Sequence, residues 1–268
     1  MIAALFSDVD QTILTKDYVL PGKVVASFHR ARQTGVEAIL ATARSPNGVV
    51  PICRALGVRY AICFNGAWIG QPLENEAMFE CVIEREIALA VMAQARKLAL
   101  TPLWYRSDAV YAVNKNDLAQ READITGEEL RESQRLEMLP GQPFKIMCAR
   151  PDLDPTGFDA LRLRFSSTCE ITASNSRLLE ITPIGVSKGA AAAQLAAALG
   201  INVSNCAAVG DGENDLSLLG WAGTALSVAN AIPEIKALAK FTGPSAEEGG
   251  LAEVLDWLVE EKTSRQSM

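Results

Sequence analysis

Two pairs of aspartates stand directly after apolar runs, far apart in the sequence. Asp8 and Asp10 follow the apolar start of the chain, and Asp211 and Asp215 follow the run Cys206–Val209. Short apolar runs of this kind are typical of buried strands. In a parallel α/β sheet, ligands bind outside the carboxyl ends of the strands. The four carboxylates are therefore candidates for a single binding site.

Four carboxylates at one site repel one another, so either their pKa values rise or a cation holds them together. Oxygen ligands without a nearby histidine or cysteine suit a hard ion, and Mg²⁺ is the usual choice where phosphate is involved. The alternative is that these acids only end strands in turns, as aspartate often does. That alternative is favoured for one cluster alone and becomes the weaker interpretation for two.

Two further segments are candidates for binding phosphate. The segment Ala41–Ser45 follows another apolar run and offers the hydroxyl of Thr42 together with free backbone N–H groups. Ser187 is a candidate N-cap of an alanine-rich helix, which places Lys188 in the first turn, where the helix dipole disfavours a cation. A phosphate or the acidic cluster would supply the partner that Lys188 lacks. Each segment alone also fits an ordinary loop threonine or an exposed lysine.

The order of the predicted elements indicates an α/β fold. Strands alternate with helices in the first part of the chain, and this predicts a doubly wound parallel sheet with helices on both faces. After about Cys81 a long helix and several short strands predict a small inserted α/β layer, and the first pattern returns from Ser187. The predicted strands of the main sheet are 2–6, 36–41, 60–64 and 206–209. The predicted domains are a core of residues 1–82 and 183–268 and an inserted cap of residues 83–182.

Composition limits the classes of partner. The chain has 268 residues, 49% of them hydrophobic, and a net charge of −7, which argues against a nucleic-acid or anionic-membrane surface. Six scattered cysteines without a CxxC pair favour reduced thiols in a cytoplasmic protein. The single histidine, His29, lies in a helical pattern away from the motifs and is expected to be a structural or surface residue. The sequence carries no signal for an oligomeric state.

These motifs, taken in order, resemble the haloacid dehalogenase-like superfamily and, within it, the Cof-type sugar-phosphatase branch. The resemblance spans nearly the whole chain, with the inserted segment matching only in length and pattern. It rests on four motifs and three accessory stretches. The motifs are Asp8-Val9-Asp10-Gln11-Thr12, Thr42, Lys188 and Gly210-Asp211-Gly212-Glu213-Asn214-Asp215. The accessory stretches are Phe64-Asn65-Gly66-Ala67, Leu179-Glu180-Ile181-Thr182-Pro183 and Ala229-Asn230-Ala231.

The resemblance implies a Rossmann-like core and a Mg²⁺-dependent phosphatase that acts on a small phosphate ester, with sugar phosphates favoured. Asp8 would attack phosphorus and form an aspartyl phosphate. Asp10 would protonate the leaving alcohol and then activate water. The side chains of Asp8 and Asp211 and the backbone carbonyl of Asp10 would bind Mg²⁺. The cap would close over the site and select the leaving group.

The same resemblance implies which residues hold the phosphoryl group. Thr42, Ala43, Lys188 and Asn214 would bind its oxygens as they gain charge. Asp215 would act behind them by orienting Lys188 or metal-bound water. The turn Asn175-Ser176-Arg177 in the cap is a candidate for substrate contact, although such a turn is more often a plain hairpin.

Two departures from the family pattern and two alternative functions remain. The family usually has glycine at the positions of Gln11 and Ala43, so the loop shape or the pocket is expected to differ there.

A phosphomutase on the same scaffold would pass the phosphate to a sugar instead of water. A non-catalytic phosphate- or metal-binding protein is the other alternative, but binding alone would not need both acids of the first motif.

Overall fold

Fourteen strands form two sheets, and nine helices pack on them, within residues 2–264, the part of the chain that the computed structural model describes. The α/β fold class predicted from the sequence is confirmed. The strands are β1 (Ala4–Ser7), β2 (Glu37–Ala41), β3 (Tyr60–Cys63), β4 (Trp68–Gln71), β5 (Glu76–Glu80), β6 (Thr101–Tyr105), β7 (Val110–Val113), β8 (Leu130–Ser133), β9 (Lys145–Ala149), β10 (Cys169–Asn175), β11 (Leu178–Pro183), β12 (Cys206–Gly210), β13 (Thr224–Val228) and β14 (Phe241–Gly243). The helices are α1 (Gly22–Gln33), α2 (Pro46–Leu56), α3 (Arg85–Lys97), α4 (Asp117–Thr126), α5 (Thr156–Phe165), α6 (Lys188–Ala198), α7 (Leu216–Trp221), α8 (Pro233–Leu238) and α9 (Leu251–Ser264).

The larger sheet has eight strands in the order β14-β13-β12-β1-β2-β3-β4-β5. The strands from β14 to β3 run parallel, whereas β4 and β5 form an antiparallel edge. The sequence pattern predicted a parallel sheet and missed this hairpin. The reason is that β5 is largely exposed at the edge and lacks the apolar run of a buried strand.

Both faces of the larger sheet are covered by helices, which explains why its central strands are apolar along their whole length. Leu5, Leu40 and Val209 pack on one side with α1, α2 and α9. Phe6 and Ile39 pack on the other side with α6, α7 and α8. We call this sheet and its six helices the core. Its doubly wound arrangement is the one that the sequence predicted.

The second sheet has six strands in the order β10-β11-β9-β6-β7-β8, and all of them lie between Thr101 and Pro183. Its pairs are antiparallel except for β7 and β8. Helices α3 and α5 pack on one face. We call this sheet together with α3, α4 and α5 the cap. The exact boundaries at residues 82 and 182 stay a prediction.

The order of the central strands positions the site. Strand β1 lies between β2 and β12, so the loops that follow these three strands open side by side at one edge of the core. Asp8, Thr42 and Asp211 are the first residues after these strands.

Among residues 2–264, no helix combines the length and the apolar character that a membrane span requires.

Candidate active site

Asp8 is a buried carboxylate fixed directly behind the end of β1. Its backbone N–H donates to the carbonyl oxygen of Val209 at 2.9 Å, which continues the pairing of β1 with β12. Its Oδ1 accepts a hydrogen bond from Nζ of Lys188 at 2.6 Å. Only 5% of the residue is exposed. One oxygen of Asp8 is thus held by a cation, in a place with little access for water.

Lys188 is fully buried in the first turn of α6, and the structure shows which partners it has there. Its Nζ lies 2.6 Å from Oδ1 of Asp8 and 2.6 Å from Oδ1 of Asp215. Burial alone would lower the pKa of Lys188, but the carboxylates of Asp215 and Asp8 outweigh it and raise that pKa. Ser187 caps the helix by accepting from the N–H of Ala190 at 3.2 Å. The poor place for a cation at a helix N-terminus is therefore offset by two carboxylates.

Asp215 joins Lys188 to the loop that follows β12. Its Oδ2 accepts from the backbone N–H groups of Asp211 and Gly212, both at 3.0 Å, while Oδ1 faces Lys188. A side chain at Gly210 would collide with the carboxyl group of Asp215. Both carboxylate oxygens of Asp215 are therefore occupied by contacts within the loop and with Lys188.

Asp211 lies opposite Asp8 and is oriented by a threonine of the first motif. The hydroxyl of Thr12 donates to its Oδ1 at 3.0 Å, and Nδ2 of Asn230 lies 3.4 Å from its Oδ2. Burial, and then the Asp215 carboxylate, raise the pKa of Asp211 to about 7. Burial and the same carboxylate raise the pKa of Asp8 well above its usual value. The carboxylates of Asp8 and Asp211 thus carry more negative charge than the ammonium group of Lys188 compensates.

The acidic cluster fits a divalent cation. Asp8, Asp211 and Asp215 each offer one carboxylate oxygen, and these atoms lie within 4.8 Å of one another. Asp215 accepts three short hydrogen bonds, at 2.6, 3.0 and 3.0 Å, whereas Asp8 accepts one from Lys188 and Asp211 accepts one from Thr12 at 3.0 Å and a longer one from Asn230 at 3.4 Å. Asp8 and Asp211 are therefore better placed than Asp215 to accept an ion. Oxygen donors in a negatively charged site are what Mg²⁺ requires.

Asp10 faces an arginine that the sequence analysis did not single out. Nε of Arg44 lies 2.9 Å from Oδ2 of Asp10, and Nη2 lies 2.6 Å from Oδ1, which is a bidentate pair. Arg44 is buried, and its guanidinium lies 5.7 Å from the ring centre of Tyr18. Arg44 belongs to the segment Ala41–Ser45 already considered for phosphate binding, but nothing in that segment indicated its partner.

The predicted phosphate ligands divide into two groups. Ala43 and Asn214 line the same pocket as Asp8. Thr42 is fully buried, and its hydroxyl oxygen accepts from the N–H of Arg44 at 3.1 Å, so it shapes the loop from behind. Asn214 donates from Nδ2 to Oδ1 of Asn65 at 3.1 Å, a contact that the sequence motifs did not reveal.

The pocket over Asp8 lies between core and cap. Asp8, Asp10 and Asp211 are on its core side, while Tyr105 and Glu180 are on its cap side. Nζ of the cap residue Lys145 donates to the carbonyl oxygen of Ala43 in the core at 2.8 Å.

The candidate turn in the cap contributes in part. Asn175 lines the pocket, whereas the carbonyl oxygen of Ser176 accepts from Arg150 at 2.6 Å and Arg177 donates to the carbonyl oxygen of Pro151 at 2.9 Å.

Comparison with known proteins identifies the family. The sequence profile of the haloacid dehalogenase-like hydrolases matches residues 5–255, which includes both aspartate pairs and the whole cap. The chain belongs to the haloacid dehalogenase-like hydrolases. The resemblance inferred from the motifs is thereby confirmed, and so is the assignment of the chain as a hydrolase.

Relatives of this hydrolase are named as phosphatases. It is 28% identical over 235 residues to the HMP-PP phosphatase of Cronobacter sakazakii, covering 86% of this chain and 85% of that protein. It is 27% identical over 255 residues to a Streptococcus pyogenes protein with the provisional name of phosphatase, covering 92% of this chain and 95% of that protein.

Solved structures share the fold of this hydrolase. A haloacid dehalogenase-like hydrolase from Bacteroides thetaiotaomicron has a TM-score of 0.84 and 23% identity, and the match covers 96% of this chain and all (100%) of that one. A sugar phosphatase of subclass IIB of the superfamily has a TM-score of 0.84 and 19% identity, covering 95% of this chain and 98% of that one. The core with an inserted cap is therefore the fold of the family.

One departure of this hydrolase from the family motif has a backbone consequence. Gln11 adopts φ of 61°, in the left-handed region that favours glycine. Its carbonyl oxygen accepts from Nδ2 of Asn230 at 2.8 Å, which helps to hold this conformation. The glutamine thus keeps the turn that a glycine would form, and it adds a side chain at the edge of the pocket.

Proposed function

We propose that this hydrolase is a Mg²⁺-dependent phosphatase that removes phosphate from a small phosphate ester through an aspartyl phosphate on Asp8. The observation that carries the proposal is the placement of Asp8. Its carboxylate lies in the pocket between core and cap, Lys188 holds one of its oxygens at 2.6 Å, and Asp211 lies beside it. A fixed, partly desolvated carboxylate next to a cation is suited to in-line attack on phosphorus.

The reaction has two steps. Asp8 attacks phosphorus, the bond to the leaving oxygen breaks, and Asp10 gives that oxygen its proton. Asp10 then takes a proton from water, and the water oxygen attacks the phosphoryl group and releases inorganic phosphate and the free Asp8 carboxylate. The pair of Asp10 with Arg44 must open for proton transfer, because a protonated carboxyl cannot keep both oxygens on the guanidinium.

The remaining motif residues would bind the phosphoryl group and the ion. Lys188, Asn214, the hydroxyl of Thr42 and the backbone N–H of Ala43 would hold the phosphoryl oxygens as charge builds up on them. The backbone N–H of Thr42 is not available, because it donates to the carbonyl oxygen of Ile62 at 2.8 Å. The side chains of Asp8 and Asp211 and the backbone carbonyl of Asp10 would bind Mg²⁺, which neutralises charge between nucleophile and phosphate when bound. The raised pKa values of Asp8 and Asp211 support this, because burial and the neighbouring Asp215 carboxylate disfavour charged forms that a cation would stabilise.

A small phosphorylated metabolite, with sugar phosphates favoured, is the proposed substrate class. It is supported by the enclosed pocket and by the relatives, one of which is named an HMP-PP phosphatase. A structural neighbour is a sugar phosphatase. A cytoplasmic location is proposed as well, since all six cysteines are free thiols and five of them are buried.

The test is phosphate release from p-nitrophenyl phosphate and a panel of sugar phosphates, with Mg²⁺ and with EDTA. We expect Mg²⁺-dependent turnover that falls at least about 10³-fold in Asp8→Asn, since amide nitrogen cannot replace the attacking oxygen. Asp124→Asn is the matched control, because Asp124 is an exposed acid of α4 outside the pocket. Equal turnover in Asp8→Asn and wild type would exclude the proposed nucleophile. Phosphate that appears only in a new ester would indicate a phosphomutase.

A further inference from the structure

The cap side of the pocket carries a different charge from the phosphate side. Four ionisable cap residues line it, namely Glu122, Glu128, Glu180 and Lys145. Three carboxylates therefore face one ammonium group. Because the phosphoryl group must lie over Asp8 in the core, this wall is what the leaving group meets.

The one ammonium group of this wall is already fully engaged. Nζ of Lys145 lies 2.7 Å from Oε2 of Glu180 and donates to the carbonyl oxygen of Ala43 at 2.8 Å. It also lies 4.4 Å from the ring centre of Tyr105. Only 3% of Lys145 is exposed, so its ammonium group cannot turn toward a ligand without losing its contacts with Glu180, Ala43 and Tyr105. It pairs with Glu180 and is not free to bind a ligand anion. The other cations that line the pocket, Arg44 and the exposed Lys16, lie on the core side, where Arg44 is paired with Asp10.

Glu122 and Glu128 form no ion pair within the described residues, and the cations nearest to them, Arg121, Lys145 and Arg44, act on them only from a distance. Within the part of the chain that the structure describes, the carboxylate of Glu122 accepts no hydrogen bond and forms no ion pair. Glu128 is 8% exposed, and its Oε1 has no hydrogen-bond partner. Burial raises the pKa of both carboxyl groups. The neighbouring Arg121 is exposed and does not line the pocket.

The end of α4 adds negative potential at the same place. Ile125 and Thr126, in the last turn of this ten-residue helix, line the pocket, and the helix stops at Gly127. A helix C-terminus carries the negative end of the helix dipole. No basic residue stands in the last turn of α4 to offset it. Two independent features, unpaired carboxylates and a helix C-terminus, thus act with the same sign.

We infer that the leaving group of the substrate carries a positively charged amino group, as in the phosphate of an amino alcohol or an amino sugar, and that Glu122 and Glu128 recognise it. The inference rests on the proposed function and deepens it. An ammonium group in this pocket meets two carboxylates and the end of α4, whereas a hydroxyl group gains only hydrogen bonds. A carboxylate or second phosphate at the same position would be repelled.

The experiment compares substrates that differ in one group. The first set is phosphoethanolamine, 2-hydroxyethyl phosphate and phosphoglycolate, and the second is glucosamine 6-phosphate and glucose 6-phosphate. For wild type with Mg²⁺ we expect kcat/KM at least about tenfold higher for the amine than for the matched hydroxyl compound in one set, and lowest for phosphoglycolate. The first set tests amino alcohols and the second tests amino sugars.

Variants connect the preference to this wall. Glu122→Gln and Glu128→Gln should each reduce the ratio of amine to hydroxyl kcat/KM several-fold, mainly through KM, whereas Asp124→Asn on the other face of α4 should leave the ratio unchanged. Ratios near one in both wild-type sets, or ratios that survive in both glutamine variants, would overturn the inference while the phosphatase stands. Turnover of p-nitrophenyl phosphate alone would also overturn it. Absence of all turnover would overturn the proposed function and this inference with it.

Discussion

At the scale of single residues, the site is organised around the buried cation of Lys188. This side chain links the first motif to the last, since its Nζ contacts both Asp8 and Asp215 at 2.6 Å. Asp215 in turn binds the backbone of the loop that carries Asp211. One ammonium group therefore fixes the position of the proposed nucleophile and, through Asp215, that of the proposed metal ligand. Loss of this ammonium group would therefore change both the charge balance of the site and the positions of Asp8 and Asp211.

Replacing Lys188 tests this dependence. Lys188→Met keeps most of the side-chain volume but leaves two buried carboxylates without their cation. We expect the free energy of unfolding in urea to fall by about 3–5 kcal/mol and turnover to be lost. Lys115→Met, at an exposed lysine, should change neither quantity. A variant with wild-type stability would show that Asp8 and Asp215 do not depend on Lys188 for their compensation.

Thr12 offers a test of the metal site that leaves every charge in place. Its hydroxyl donates to Oδ1 of Asp211 at 3.0 Å, and Thr12→Val removes that bond while preserving the shape. The Mg²⁺ concentration for half-maximal activity should rise about 10–100-fold, as is typical when a partner of a metal ligand is lost. The control is Thr168→Val, since that hydroxyl bonds to the carbonyl oxygen of Phe165 in the cap. An unchanged Mg²⁺ requirement would contradict the role of Asp211 as a ligand.

Residue types predicted much of this site, but contacts between distant residues were not readable. Asp8, Asp211 and Lys188 were singled out because acids after strands and a cation at a helix N-terminus need partners. The pair of Arg44 with Asp10 and the bond of Asn214 to Asn65 depend on side-chain directions that spacing does not fix. The roles of the motif residues in catalysis stay predictions until the variants are measured.

At the scale of elements, the close packing of α6 against α7 sets the position of Lys188. Gly189, next to Lys188, donates from its backbone N–H to the hydroxyl of Ser217 at 3.2 Å. A Cβ atom at Gly189 would overlap the carbonyl group of Ser217. The two helices therefore approach at a distance that only glycine permits here, and a forced separation would displace the buried ammonium group.

Two glycine-to-alanine changes should act in opposite directions. Gly189→Ala is expected to cost about 1–3 kcal/mol of unfolding free energy through overpacking and to lower turnover by moving α6. Gly220→Ala, in α7 with open space around the new methyl group, should be neutral or stabilise by up to about 1 kcal/mol. Urea titrations of both variants decide the matter. Equal midpoints would mean that α6 has room to adapt.

The elements were predicted best where both faces are buried. The central strands β1, β2 and β12 have continuous apolar runs in the sequence. Their alternation with helices along the chain predicted the parallel pairing that the structure shows. The hairpin β4–β5 and the short strand β8 were missed. Strand β4 is buried but short, whereas β5 is largely exposed at the edge of its sheet and β8 is only partly buried, so neither of the two edge strands carries a continuous apolar run. Burial on two sides leaves a clear trace in sequence, and exposure at an edge does not.

At the scale of the whole molecule, the pocket exists only where core and cap meet. The core supplies the acids that follow β1 and β12, and the cap supplies the wall with Glu122 and Glu180. Polar contacts bind the two parts across the gap, such as Nδ2 of Asn47 with the carbonyl oxygen of Ser107 at 2.8 Å. Chemistry and selectivity thus lie on different parts of the chain, and each can be altered without the other.

The excess negative charge of the core predicts how Mg²⁺ affects the stability of the whole protein. An ion that binds only the folded state stabilises it, by about 2.7 kcal/mol at a hundred times its dissociation constant. The pKa of Asp211 is raised to about 7, so below that pH a proton occupies the carboxyl group and competes with the ion. Without metal, the folded state keeps this proton up to about pH 7, whereas the unfolded chain loses it near the ordinary pKa of an aspartate. The metal-free fold therefore loses stability as the pH rises between these two values.

The rise in melting temperature on adding Mg²⁺ should therefore be small at about pH 5.5 and large at about pH 8, because deprotonation of Asp211 both weakens the metal-free fold and frees the ligand. Calorimetry with saturating Mg²⁺ or EDTA at both pH values measures it. Asp211→Asn should abolish the shift at pH 8 and make the metal-free protein less sensitive to pH, since the amide carries no charge. A shift of equal size at both pH values would show that a proton on Asp211 does not compete with Mg²⁺. It would also show that Mg²⁺ binds away from the carboxylates of Asp8 and Asp211, which follow β1 and β12 in the core.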